Sequence, residues 1–180
     1  GYRGALPVDG EDVARIRALV LRRGSAICNP DLRRWQLKLA TSDGGRRDQG
    51  CDPLVARVVA WVAHKINDAP GWEGLEMGGI HALHSIAGCR QQPWHTDYDP
   101  SSSGSFARPV GVLVALEGGT RFVTTSEVYE LDVGDVLCFD GAVVHAGAAY
   151  AVENTRLHVY LDAVGCRRKA GVIWMASVPD

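Results

Sequence analysis

The sequence predicts a mainly β fold of consecutive antiparallel strands (a sandwich, jelly roll or small barrel) with two helices packed on one outer face. Three observations carry this. From Ile80 onward, short runs rich in Val, Leu and aromatic residues are separated by Gly, Asp and Pro, which is the texture of strands and turns. No amphipathic helical stretch interrupts those runs, which disfavours a parallel sheet built from alternating strands and helices. The helical patterns are confined to the first third of the chain.

The 180 residues, 46% hydrophobic and 22% charged, suit one soluble domain. The reading is therefore a single domain over 1–180, with 1–79 as helical support, 80–162 as the β core and 163–180 as a C-terminal extension. In the first helix, over 11–23, Val13, Ile16, Leu19 and Val20 recur at helical spacing. Glu11 and Asp12 open it and two arginines precede Gly24, charges that suit each end of the helix dipole. In the second, over 53–67, Leu54, Val55, Val58, Val59, Trp61, Val62 and Ile66 make a broad apolar face, and Pro53 suits a first turn. The polar stretch 41–50 between them reads as a solvated loop, although its Arg46 and Arg47 could meet an anion. Strands are expected over 80–88, 92–96, 110–117, 120–125, 127–133, 135–139, 143–146 and 155–162. Ser101 to Ser105 (SSSGS) falls in a loop.

Charge and cysteine content exclude several classes. Lys and Arg total 19 against 21 Asp and Glu, a net charge of −2, so nothing steers the chain toward nucleic acid over long range. No apolar run approaches the ~20 residues of a spanning helix. The five cysteines contain no CxxC pair, which argues against a zinc knuckle or a disulfide scaffold. Cys138 sits in an apolar run, where a free thiol packs as a small hydrophobe. A reducing intracellular compartment, cytoplasmic or nuclear, is expected. The chain opens on Gly1 rather than Met, so a leader removed upstream would leave no trace.

Three segments carry candidate chemistry. In Gln91 to Asp97 (QQPWHTD), His95 and Asp97 lie two apart at a strand end and project to the same side. In Gly134 to Ala149 (GDVLCFDGAVVHAGAA), a turn, an apolar strand and a second turn lead to His145 among small residues. A closed two-sheet fold lets the two histidines converge, and two His with one carboxylate make the facial triad of non-haem Fe(II) oxygenases. Iron is favoured over zinc, with Mn(II) as an occupant in vitro. In Asn154 to Asp162 (NTRLHVYLD), strict alternation places Arg156, His158 and Tyr160 on one face and Leu157, Val159 and Leu161 on the other. An arginine turned inward from a core strand needs an anion, either a protein carboxylate or a bound one.

The ordered set His95-x-Asp97, His145 and Arg156 resembles the Fe(II)/2-oxoglutarate-dependent dioxygenase superfamily. The resemblance spans about residues 80–162, since that superfamily places HxD on its second core strand, the distal His on its seventh and a basic residue on its eighth. It implies a double-stranded β-helix (jelly-roll) core with helices packed on the major sheet. It implies that His95, Asp97 and His145 bind Fe(II) and that Arg156 holds the distal carboxylate of 2-oxoglutarate. The reaction implied is hydroxylation or oxidation of an unidentified substrate, with succinate and carbon dioxide as co-products. His158 stands where many relatives carry a small hydroxyl residue, as a second donor to the co-substrate or as a residue that narrows its pocket. Trp94, Tyr98, Tyr150 and Tyr160 are further pocket candidates, and the polar segment 98–108 is a candidate lid or an ordinary surface connection.

Small-molecule, peptide and nucleobase substrates are all compatible with these residues. Oxidation of 5-methylcytosine, with ascorbate in place of 2-oxoglutarate, is one alternative, although the near-neutral charge disfavours nucleic acid as a partner. No membrane partner is expected. A second alternative is a cupin-like metalloenzyme, in which Arg156 would pair with a protein carboxylate. A third is a non-catalytic jelly-roll binding module without a metal.

Overall fold

The computed structural model describes residues 2–5, 9–22, 26–29, 33–41, 52–68, 71–72, 74–102, 109–163 and 173–177. Arg46, Arg47 and residues 103–108 of the candidate lid lie outside them, as does most of the C-terminal extension.

Two antiparallel sheets face each other. The larger has seven strands in the order β1 (Tyr2–Ala5), β9 (Asp135–Asp140), β6 (Val110–Ala115), β11 (Asn154–Asp162), β4 (Glu76–Ser85), β3 (Arg34–Thr41) and β2 (Ala26–Asn29). The smaller has five, in the order β12 (Trp174–Met175), β5 (His95–Thr96), β10 (His145–Gly147), β7 (Thr120–Thr124) and β8 (Val128–Leu131). A short 3-10 turn (Pro100–Ser102) follows β5.

The helices α1 (Gly10–Arg22) and α2 (Pro53–Asn67) fall where the apolar spacing predicts. Asp52 caps α2 by accepting from the Leu54 amide at 2.9 Å, and Pro53 occupies the first turn. Val13, Ile16, Val20, Val55, Val58, Val59, Val62 and Ile66 are buried in one cluster with Val110, Val112, Leu157, Val159 and Leu161 of the larger sheet. The helices therefore cover one face of that sheet. Between the sheets, Leu113, Leu137 and Phe139 from the larger meet Phe122 and Leu131 from the smaller. Cys138 is buried in the first cluster, and burial pushes its thiol up to about 12. No helix among the described residues is long and apolar enough to cross a membrane.

Two expectations need correction. Residues 1–79 are not purely helical support, because β1, β2 and β3 extend the larger sheet and β4 begins at Glu76. The C-terminal extension also contributes, since Trp174 and Met175 pair with Thr96 and His95 at the edge of the smaller sheet. Tyr2–Ala5, β3 and Trp174–Met175 take ladder partners from segments distant in sequence, which short local pattern does not reveal.

Candidate metal centre

The smaller sheet brings the two histidines together. His95 on β5 and His145 on β10 are directly opposed partners of one antiparallel pair, with ring centroids 4.5 Å apart. Asp97 follows β5 by one residue and shares the cluster. One ligand atom from each of His95, Asp97 and His145 lies within 4.8 Å of the others, and all three residues are buried.

Backbone carbonyls fix the tautomer of both rings. His95 Nδ1 lies 2.8 Å from the Pro93 carbonyl, and His145 Nδ1 lies 2.9 Å from that of Val143. In each case the partner is two residues upstream, so Nδ1 carries the hydrogen and Nε2 presents a lone pair. Phe122 stacks on His145 at 5.0 Å and Phe139 meets its edge at 5.1 Å. This apolar wall depresses the His145 pKa through burial, against the opposing pull of Asp97. Burial alone would raise the Asp97 carboxyl, but His158, His145 and His95 together hold it well below the usual carboxylate range. A neutral imidazole and an ionised carboxylate are the forms that ligate a metal.

Asp97 Oδ2 stands 3.5 Å from His145 Nε2 and 3.2 Å from His158 Nε2. Neither contact has hydrogen-bond geometry, so among the described residues Asp97 Oδ2 and His158 Nε2 are both buried without a hydrogen-bond partner. An orphaned buried carboxylate oxygen beside two imidazole nitrogens fits a divalent cation, whose charge would satisfy what the protein leaves open.

The triad opens on a cavity of about 430 Å³ between the sheets. Arg156, His158 and Tyr160 of β11 line it from the larger sheet, as the strict alternation of that strand requires. Arg156 is 3% exposed. Its Nη1 donates to Ser85 Oγ at 3.1 Å and to Asn154 Oδ1 at 3.5 Å, and its guanidinium lies over the Tyr150 ring at 5.4 Å. Among the described residues no carboxylate pairs with it.

Three pocket candidates do not line the cavity. Trp94 precedes β5 and is not among the lining residues, and its carbonyl accepts from the Ala176 amide. Tyr98, one residue beyond Asp97, is buried in the core with its hydroxyl on Asp162 Oδ1 at 2.9 Å. Tyr150 sits behind Arg156 and is tied to β7, accepting from the Arg121 amide at 2.8 Å. His158 does line the cavity, but its ring is committed elsewhere than to Arg156. Nε2 faces Asp97, and Nδ1 lies 3.3 Å from the Tyr160 hydroxyl.

Sequence reasoning missed Arg34, Ser85 and Gln92, which line the same cavity. For Arg34 a signal was present. Trp35, Leu37 and Leu39 alternate with polar residues directly after it, a period of two that marks a strand.

No family model and no curated protein matches the sequence. Solved structures do match the fold. A truncated viral collagen prolyl hydroxylase from Paramecium bursaria Chlorella virus-1 superposes with a TM-score of 0.68 at 10% identity, covering 93% of this chain and 90% of that one. A Pseudomonas putida prolyl-4-hydroxylase gives 0.65 at 16% identity, covering 93% and 92%. HygX from Streptomyces hygroscopicus, solved with nickel, 2-oxoglutarate and hygromycin B bound, gives 0.65 at 11% identity, covering 88% and 80%. With its two facing antiparallel sheets and its helices on the larger one, the chain has the double-stranded β-helix fold of the 2-oxoglutarate/Fe(II) oxygenases.

Proposed function

We propose that the protein is a non-haem Fe(II) oxygenase that uses 2-oxoglutarate, with His95, Asp97 and His145 holding the metal and Arg156 holding the distal carboxylate of the co-substrate. The observation that carries this is one cavity with the buried triad on one sheet and, facing it from the other, a buried guanidinium without a carboxylate partner. A cupin-like site would pair Arg156 with a protein carboxylate, and among the described residues none does so.

Bound Fe(II) and 2-oxoglutarate would supply the oxidising chemistry, with succinate and carbon dioxide as co-products. The chain's own residues do the rest. The carbonyls of Pro93 and Val143 hold both imidazoles with Nε2 inward. Phe122 and Phe139 keep water from the His145 side. Ser85 and Asn154 fix the Arg156 fork so that it can grip a carboxylate bidentately.

The test measures Mn(II) affinity by calorimetry, and succinate formation from 2-oxoglutarate with Fe(II). His95→Ala and Asp97→Ala should each weaken Mn(II) binding on the order of 100-fold or more and end succinate production. Unchanged Mn(II) binding and turnover in His95→Ala would refute the site. The primary substrate is left to a screen of small molecules, peptides and nucleobases in the same succinate assay.

A further inference from the structure

A second buried arginine stands at the Arg156 end of the cavity. Arg34 on β3 is 6% exposed, and its Nη1 donates to Ser85 Oγ at 3.2 Å, the oxygen that also accepts from Arg156 at 3.1 Å. The two guanidiniums thus share one hydroxyl, and Ser85 is fully buried. Among the described residues Arg34 Nη2 is held by main-chain carbonyls alone, those of Arg90 at 2.9 Å, Gly147 at 3.0 Å and Ala148. Among the described residues its Nε is buried without a hydrogen-bond partner.

Two like charges so close, both shielded from water, repel strongly unless an anion lies between them. No carboxylate pairs with either among the described residues. Burial and the neighbouring Arg156 bring Arg34 down to about 10, which still leaves it charged at neutral pH. Ser85 accepts from both cations, and among the described residues no acceptor takes its own O–H hydrogen. The approach of Arg34 to β10 depends on Gly147, where a Cβ would lie 2.9 Å from Arg34 Nη1 and 2.2 Å from Gln92 Oε1.

We propose that Arg34, Arg156 and Ser85 form a two-cation seat for one carboxylate, and that Arg34 makes the cavity select a keto diacid over a keto monoacid or a singly charged reductant such as ascorbate. A keto diacid has one carboxylate for the metal end and a second for the seat. A monoacid has nothing to place there, and the repulsion between the two cations goes unrelieved.

The selectivity rests on the oxygenase reading; the seat itself does not. Calorimetry on the Mn(II)-loaded protein compares 2-oxoglutarate with 2-oxobutyrate, which keeps the keto acid head and lacks the distal carboxylate. Arg34→Gln should raise the Kd for 2-oxoglutarate about 30-fold and leave that for 2-oxobutyrate within about twofold. Arg34→Lys, which restores the charge and covers the case of a poorly folded Gln variant, should recover most of the loss. Equal weakening of both keto acids, or of neither, overturns the proposal. The metal-free protein separates the two readings. Glutarate, a diacid without the keto group, should raise the Tm of the wild type and not that of Arg34→Gln, even if metal binding fails. Absence of that rise in the wild type overturns the seat.

Discussion

Tyr98 separates a core role from a site role, because it directly follows a proposed ligand yet points away from the cavity. Its side chain is 1% exposed, and its hydroxyl donates to Asp162 Oδ1, itself at the buried end of β11. The ring lies so close to Gly141 that a Cβ there would stand 2.3 Å from it. Tyr98→Phe keeps the ring and removes only the donor, leaving a buried carboxylate short of one partner. A hydrogen bond to a charged group contributes about 1.5–3 kcal/mol. At roughly 2–4 °C per kcal/mol for a chain of this length, the Tm should fall by about 3–12 °C. Thermal and urea unfolding followed by circular dichroism measure the loss, and Mn(II) calorimetry on the same sample should show affinity within about twofold of wild type. An unchanged Tm together with altered metal or keto acid binding would refute the assignment and return Tyr98 to the site.

Two further outcomes are expected. Gly111→Ala would set a Cβ 2.3 Å from the Phe139 ring, so chemical denaturation should show a loss of about 1–3 kcal/mol, partly recovered when Phe139→Leu makes room. His84, with Nδ1 2.9 Å from Thr155 Oγ1, has its pKa lowered from 6.5 by burial. The folded state therefore resists the proton that the unfolded state accepts. Its contribution to stability is present above pH 6.5 and is lost as the pH falls through the lower folded value. The urea midpoint should drop on acidification below that pH, and His84→Gln should flatten the dependence.

How much was legible from the sequence differs by element. The alternation in NTRLHVYLD marks β11 and its inward face within one residue, because a strand buried on both sides must sort its side chains by parity. Pro53 and the valine-rich stripe mark α2 at its observed start and end, while the Asp52 cap was not singled out. The strand β5 is shorter than the expected run over 92–96, since only His95 and Thr96 find ladder partners. Tyr2–Ala5 and Trp174–Met175 are strands only through what they pair with, Asp135–Cys138 and the β5 residues respectively. No local propensity announces them. The triad was readable because residue type and order carry it. The strand around Arg34 was legible, but its burial was not, since it depends on Ser85 and on the carbonyls of Arg90, Gly147 and Ala148 meeting it from segments distant in sequence.

The proposed metal ligands and the arginines stand on opposite sheets. His95 and His145 belong to two short strands of the smaller one, while Arg156 rises from β11, flanked on both sides by β6 and β4. His158 of the larger sheet and Asp97 beside the smaller one meet across this gap, 3.2 Å apart. The cavity is therefore a caliper whose opening is set by the fold. If the triad and Arg156 hold the two ends of one ligand as proposed, a diacid one methylene shorter or longer than 2-oxoglutarate would seat one end and miss the other. On the proposed reading, length as much as charge would govern which diacid the cavity accepts.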